Sequence, residues 1–175
     1  MPSPLVNATL QAAVLSALSN LLAQGIKAYQ KDEPLSLNLV ALGQFVFFTL
    51  LTCPPNFLWQ QYLEETFPGY VTGLDGSQSL HKINTAKKFA LDQTIGAVVN
   101  TVAFVAFFAA LSGKDSNAIQ RTVRRETLPL MMAGWKLWPA VSFLNFTVVP
   151  MHRRILVGSI VGLFWGIYLS LFAVS

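Results

Sequence analysis

Residues 134–170 read GWKLWPAVSFLNFTVVPMHRRILVGSIVGLFWGIYLS, and the class of the whole chain turns on how this stretch is read. Two apolar runs flank one short polar hinge, Pro150-Met151-His152-Arg153-Arg154. Each run approaches the roughly twenty residues that carry a helix across a bilayer core at about 1.5 Å per residue. The hinge has room only for a tight turn. The expectation is a C-terminal helical hairpin, with Arg153 and Arg154 at one membrane surface and the upstream chain packed against it.

Composition agrees with a bilayer setting. Of 175 residues, 53% are hydrophobic and only 11% are charged. A water-soluble domain carries about a quarter charged residues, so this chain has too few to cover a soluble surface. The net charge of +4 is spread over loop ends, where Lys and Arg meet lipid phosphates. No basic patch interleaved with aromatics points to nucleic acid. Cys53 is the single cysteine, which excludes an intrachain disulfide framework and a multi-cysteine metal site. The N-terminal residues resemble neither a secretory signal nor an Arg-rich presequence, and this does not exclude an organelle membrane, since polytopic proteins often use internal targeting signals.

Five apolar runs can be marked. Residues 5–26 are Ala- and Leu-rich, with Ser16, Asn20 and Gln24 four apart on one face suited to helix–helix hydrogen bonds. This run reads as a crossing or as an interfacial helix. Residues 35–59 follow, with Cys53-Pro54-Pro55-Asn56 expected to break or kink the helix and with Trp59 and Tyr62 in an interfacial aromatic belt. Residues 63–86 are the longest polar connection, with turns at Pro68-Gly69 and over 73–76. The third run enters at Lys87 to Asp92 and continues through Leu111. Residues 112–127 are polar, and Arg121, Arg124 and Arg125 suit a surface amphipathic helix or a solvated loop. The fourth run is 128–149 and the fifth is 155–174. The expected fold is an all-α integral membrane protein, one domain over 1–175, built as a bundle of four to five transmembrane helices. Loop charges divide six against five across the membrane and leave the orientation open.

Some spacings carry chemistry. Gln93, Gly96, Asn100 and Ala103 set a small and polar stripe on the third run. Trp135, Trp138, Ser142 and Asn145 give the fourth run two indoles and two hydrogen-bonding groups on one face. Pro139 removes a backbone donor there. These residues line either a hydrated path or a dry interhelical network. Asp92 is the one acid at the mouth of a membrane run, where an ionised carboxylate needs a partner. Lys88, four residues earlier, or Arg153 or Arg154 could supply it. His152 stands beside the arginines as a pH sensor or a headgroup contact. Gly158, Gly162 and Gly166 recur every four residues on the fifth run. Such a seam serves close packing within the chain or, in the sharper reading, a homo-oligomer. No metal-ligand spacing, Ser–His–acid arrangement or nucleotide loop is found. The expectation is therefore no enzyme, no cofactor and no metal.

The residues also carry a resemblance. Trp135, Leu137-Trp138-Pro139, Asn145-Phe146, Val149-Pro150, Arg154, Trp165 and Tyr168-Leu169-Ser170 follow in the order and spacing of a known signature. Lys87-Lys88, Leu91-Asp92-Gln93, Pro54, Trp59, Tyr62 and Phe67-Pro68-Gly69 extend it upstream. The chain resembles the family named after the twenty-two-kilodalton peroxisomal membrane protein and Mpv-seventeen, most specifically over 114–173. Asn20 and Gln24 stand where that family has Asp followed by Gln, and Cys53 stands where it has Gly. The resemblance implies a multi-helix protein of the peroxisomal or inner mitochondrial membrane, associated with small-solute or ion-conducting pores. Its expected partners are the lipid bilayer and, if it is a channel, small solutes, while the glycine seam offers further copies of itself. The alternative implied by some family members is a non-conducting scaffold for organelle sorting or protein assembly.

Overall fold

The computed structural model describes residues 3–72 and 77–172. The expected turn over 73–76 and the end of the fifth run, 173–174, lie outside the described residues. Among those described there are six helices and one two-stranded sheet. The helices are α1 (Pro4–Gln30), α2 (Leu39–Thr66), α3 (Lys82–Leu111), α4 (Ser116–Gly134), α5 (Trp138–Thr147) and α6 (Met151–Phe172). Three of them, α1, α2 and α3, are long and apolar enough to cross a membrane. The chain folds as two compact units, divided inside α2 between Leu58 and Trp59 and again after Met151.

The first unit holds α1, the first part of α2, and α6 from His152 on. Ser3 caps α1 by accepting from the Val6 amide at 3.3 Å, and Pro4 occupies its first turn, where no donor is missed. The buried side of α1 is made of small residues, Ala8, Ala12, Ser19, Asn20 and Ala23, which let neighbours come close. Ser16 donates to the Phe45 carbonyl of α2 at 3.2 Å, and Ser19 donates to the Leu163 carbonyl of α6 at 3.1 Å. A Cβ placed on Gly166 would come within 2.5 Å of Ser19 Oγ, so glycine is required for that approach. At Gly158 and Gly162 an added Cβ would meet nothing within 4 Å among the described residues. The glycine seam is thus in use at one of its three positions.

Gln24 closes the turn between α1 and α2. Its amide nitrogen donates to Asn20 Oδ1 at 2.7 Å and to the Asn38 carbonyl at 3.1 Å, while its oxygen accepts from the Asn38 amide at 2.6 Å. Asn38 in turn caps α2 by accepting from the Ala41 amide at 2.9 Å. Helix α2 then runs to Thr66 through Pro54 and Pro55. Of the break or kink expected at Cys53–Asn56, a break is not found, since helical structure continues through it. Each proline removes one backbone donor, but the helix on either side is long enough to carry the gap.

The second unit holds the end of α2, the sheet, and α3 to α5. Strands β1 (Tyr70–Thr72) and β2 (Gln78–Leu80) pair antiparallel, Tyr70 opposite Leu80 and Thr72 opposite Gln78. This hairpin occupies the polar connection, where sequence showed only turns. His81 caps α3 through Nδ1, which accepts from the Asn84 amide at 3.2 Å. Gly113, at φ 74°, ends α3 in the left-handed conformation, and the Lys114 amide reaches back to the Ala109 carbonyl at 3.4 Å. Asp115 then caps α4 through the Ala118 amide at 2.7 Å.

The 112–127 segment is therefore mostly helix. It continues as α4 to Gly134, with Arg121, Arg124 and Arg125 exposed. This corrects the fourth run. Residues 128–149 are not one crossing helix but the end of α4, a turn at 135–137, and the ten-residue α5. Pro139 lies in the first turn of α5, and a proline there suits a helix start rather than a helix interior. The first arm of the expected hairpin is correspondingly short, while its second arm, α6, has 22 residues.

Candidate functional site

Asp92 is the centre of the densest side-chain network in the second unit. It opens a π-helical turn, Asp92–Gly96, inside the otherwise α-helical α3. Such turns insert one residue into the helix and are frequent at functional sites. The Thr94 hydroxyl donates to the Ala90 carbonyl at 2.6 Å, supplying a donor beside the widened turn.

Four neutral donors converge on the half-buried carboxylate. Ser142 of α5 donates to Oδ2 at 2.6 Å, and the Gln93 amide approaches the same oxygen at 3.4 Å. From α2, the Gln60 amide donates to Oδ1 at 3.1 Å and the Trp59 indole N–H points to it at 3.4 Å. Gly96 admits the indole, since a Cβ there would lie 3.1 Å from Trp59 Nε1 and 3.4 Å from Asp92 Oδ1. Trp59 is also stacked on Tyr62, with ring centres 5.9 Å apart. The site is thus built from three helices, each contributing hydrogen-bond donors to one acid.

One turn earlier on α3 lies a different arrangement. Lys88 is fully buried and pairs with Glu64 of α2 at 2.7 Å. Its ammonium also stands over the Phe146 ring, 5.4 Å from the centre. The second Glu64 oxygen accepts from the Gly69 amide at 2.9 Å, and a Cβ on Gly69 would strike Lys88 Nζ at 2.7 Å. The Pro68-Gly69 turn therefore closes over the ion pair. The pairing of Lys88 with Asp92 allowed by their spacing is not made. Within this unit, among the described residues, no lysine, arginine or histidine pairs with Asp92.

Of the residues singled out in sequence, Asp92, Gln93 and Ser142 are brought into contact. Asn100 is exposed on α3 and donates to the Gly96 carbonyl of its own helix at 3.0 Å. Trp135 is exposed at the turn before α5, Trp138 packs beside Gly134, and Asn145 is half-buried on α5. None of these four hydrogen-bonds to Asp92. In the first unit, His152 and Arg153 are exposed at the start of α6, whereas Arg154 is buried. The two arginines expected together at a membrane surface thus differ in exposure, Arg153 being exposed and Arg154 buried. Trp59, Gln60 and Glu64 were missed as partners. They lie 24 to 33 residues from their partners Lys88 and Asp92 in sequence, and no local spacing links such distant positions.

Known proteins share this chain's pattern. The family model described as Mpv17 / PMP22 family matches residues 109–170. PXMP2/4 family protein 3 of Dictyostelium discoideum is 31% identical over 170 residues, covering 97% of this chain and 84% of that protein. Peroxisomal membrane protein PMP22 of Arabidopsis thaliana is 28% identical, covering 98% of this chain and 84% of the relative. Peroxisomal membrane protein 2 of Bos taurus is 26% identical, covering 95% and 82%. No solved structure matches.

Proposed function

Since this chain belongs to the Mpv17 / PMP22 family, we propose that it is a channel for small solutes or ions. It is a multi-pass membrane protein of an organelle, with relatives named as peroxisomal membrane proteins. The observation that carries the channel reading is Asp92. An acid inside an apolar helix is costly, and where it occurs it marks an ion or substrate path by default. Here the acid is held by four neutral donors from three helices and, among the described residues, by no cation of its own unit. A structural ion pair would have used Lys88, which lies within reach and is paired with Glu64 instead. The acid's charge is thus available to a passing solute.

The test is conductance of the purified full chain in planar bilayers, with and without Asp92→Asn. The substitution keeps the side-chain shape and the acceptor for Ser142. It is expected to leave folding intact and to lower the preference for cations over anions. The change should be on the order of tenfold, because one charge at close range in a low-dielectric site is worth more than about 1.4 kcal/mol. Wild-type protein without conductance or solute flux would remove the channel reading and leave the scaffold role in its place.

A further inference from the structure

We infer that the Asp92 site binds a monovalent alkali cation, sodium or potassium, with oxygens of Asp92, Gln60 and Gln93 as its ligands. This inference rests on the channel reading and names the species that the site would hold.

The argument starts from two amide groups. The nitrogens of Gln60 and Gln93 are both directed to the Asp92 carboxylate, at 3.1 and 3.4 Å. Each amide oxygen is therefore carried on a side chain already held against that carboxylate. Both oxygens, Gln60 Oε1 and Gln93 Oε1, are buried and have no hydrogen-bond partner among the described residues. Buried acceptors are almost always satisfied, and an exception calls for a bound water or ion. Turning either amide over does not remove the exception. It would set an oxygen against the carboxylate and leave a donor unpaired instead.

Charge separates an ion from a water. Within its unit, among the described residues, the carboxylate has only neutral donors hydrogen-bonded to it, and Lys88 of α3 is paired with Glu64. A water would satisfy an amide oxygen but leave the carboxylate's negative charge in an apolar helix without a counter-charge. A single positive charge answers both needs. The donor set also selects the ion. Carboxylate and amide oxygens are ligands for hard cations. One carboxylate matches one positive charge, whereas divalent ions draw on more acids. Among the described residues no group of three His, Cys, Asp or Glu side chains could hold such a metal.

The test uses the full chain in detergent, with thermal unfolding followed in sodium, potassium, magnesium or N-methylglucamine chloride at equal ionic strength. A saturable rise of roughly 3 °C or more in sodium or potassium over N-methylglucamine is expected. Trp59 fluorescence should shift over the same concentrations, since its indole N–H points to the carboxylate. Gln60→Leu and Gln93→Leu should each weaken the response at least several-fold, and Asp92→Asn should abolish it. Should a variant fold poorly, the wild-type titration with Trp59→Phe as the fluorescence control still decides. Equal unfolding temperatures in all four chlorides would mean water only and would overturn the inference. A response to magnesium alone would overturn it as well. Conductance without cation-dependent stability removes the binding site and spares the channel. Cation-dependent stability without conductance does the reverse.

Discussion

Lys88 and Asp92 sit one helical turn apart on α3 and meet opposite surroundings. Lys88 is buried, paired and covered by the Pro68-Gly69 turn, while Asp92 is served by neutral donors alone. The spacing of four that links them is plain in sequence, and it suggested a pair. What decides the outcome is Glu64, a residue 24 positions before Lys88 whose approach depends on how α2 and α3 pack. Such partners are set by tertiary geometry and leave no periodic trace. The asymmetry of burial gives a stability prediction. Glu64→Ala removes the ion-pair partner of a fully buried ammonium and should cost about 3 kcal/mol. Lys88→Met conserves volume and leaves a carboxylate that is 28% exposed, so it should cost nearer to 1 kcal/mol. Chemical denaturation in mild detergent would rank the two, and equal losses would contradict this account.

At the scale of elements, the small-residue seam was legible and its use was not. Three glycines at equal spacing look alike in sequence, yet among the described residues only Gly166 faces an obstacle, the Ser19 hydroxyl of α1. Gly166→Leu should therefore destabilise the protein by about 1–3 kcal/mol through overpacking. Gly158→Leu should change stability by less than about 0.5 kcal/mol, as expected for a position with open space. If both variants unfold alike, the assignment of Gly166 as the contact point is wrong. The break before α5 shows the opposite balance. Pro139 was visible as a disruption, but apolarity on both sides hid its strength, and hydropathy joined 128–149 into one run. Backbone chemistry overruled hydrophobicity there, because proline fits a helix start and disrupts a helix interior.

For the whole molecule, composition was enough to place the chain in a membrane, since eleven charged residues in a hundred cannot solvate a surface. The channel reading depends on finer facts, and Asn145 and Asn100, both expected in the polar face, lie outside the hydrogen bonds of Asp92. The hydrogen-bond network on Asp92 is built instead by α2, α3 and α5 together. That construction bears on biogenesis. Helix α5 has ten residues and is about 15 Å long, half of a hydrocarbon core. Insertion machinery that samples one segment at a time would leave it in water. Its entry ticket is Ser142, which can bond Asp92 only after α2 and α3 are already seated. The segment 138–147 fused alone to a soluble reporter should therefore stay outside microsomal membranes. In a chain carrying α1 to α3 it should become protected from protease, and Ser142→Ala should delay that protection. Assembly would then proceed in two acts: lipid admits the long helices, and the protein itself admits the short one.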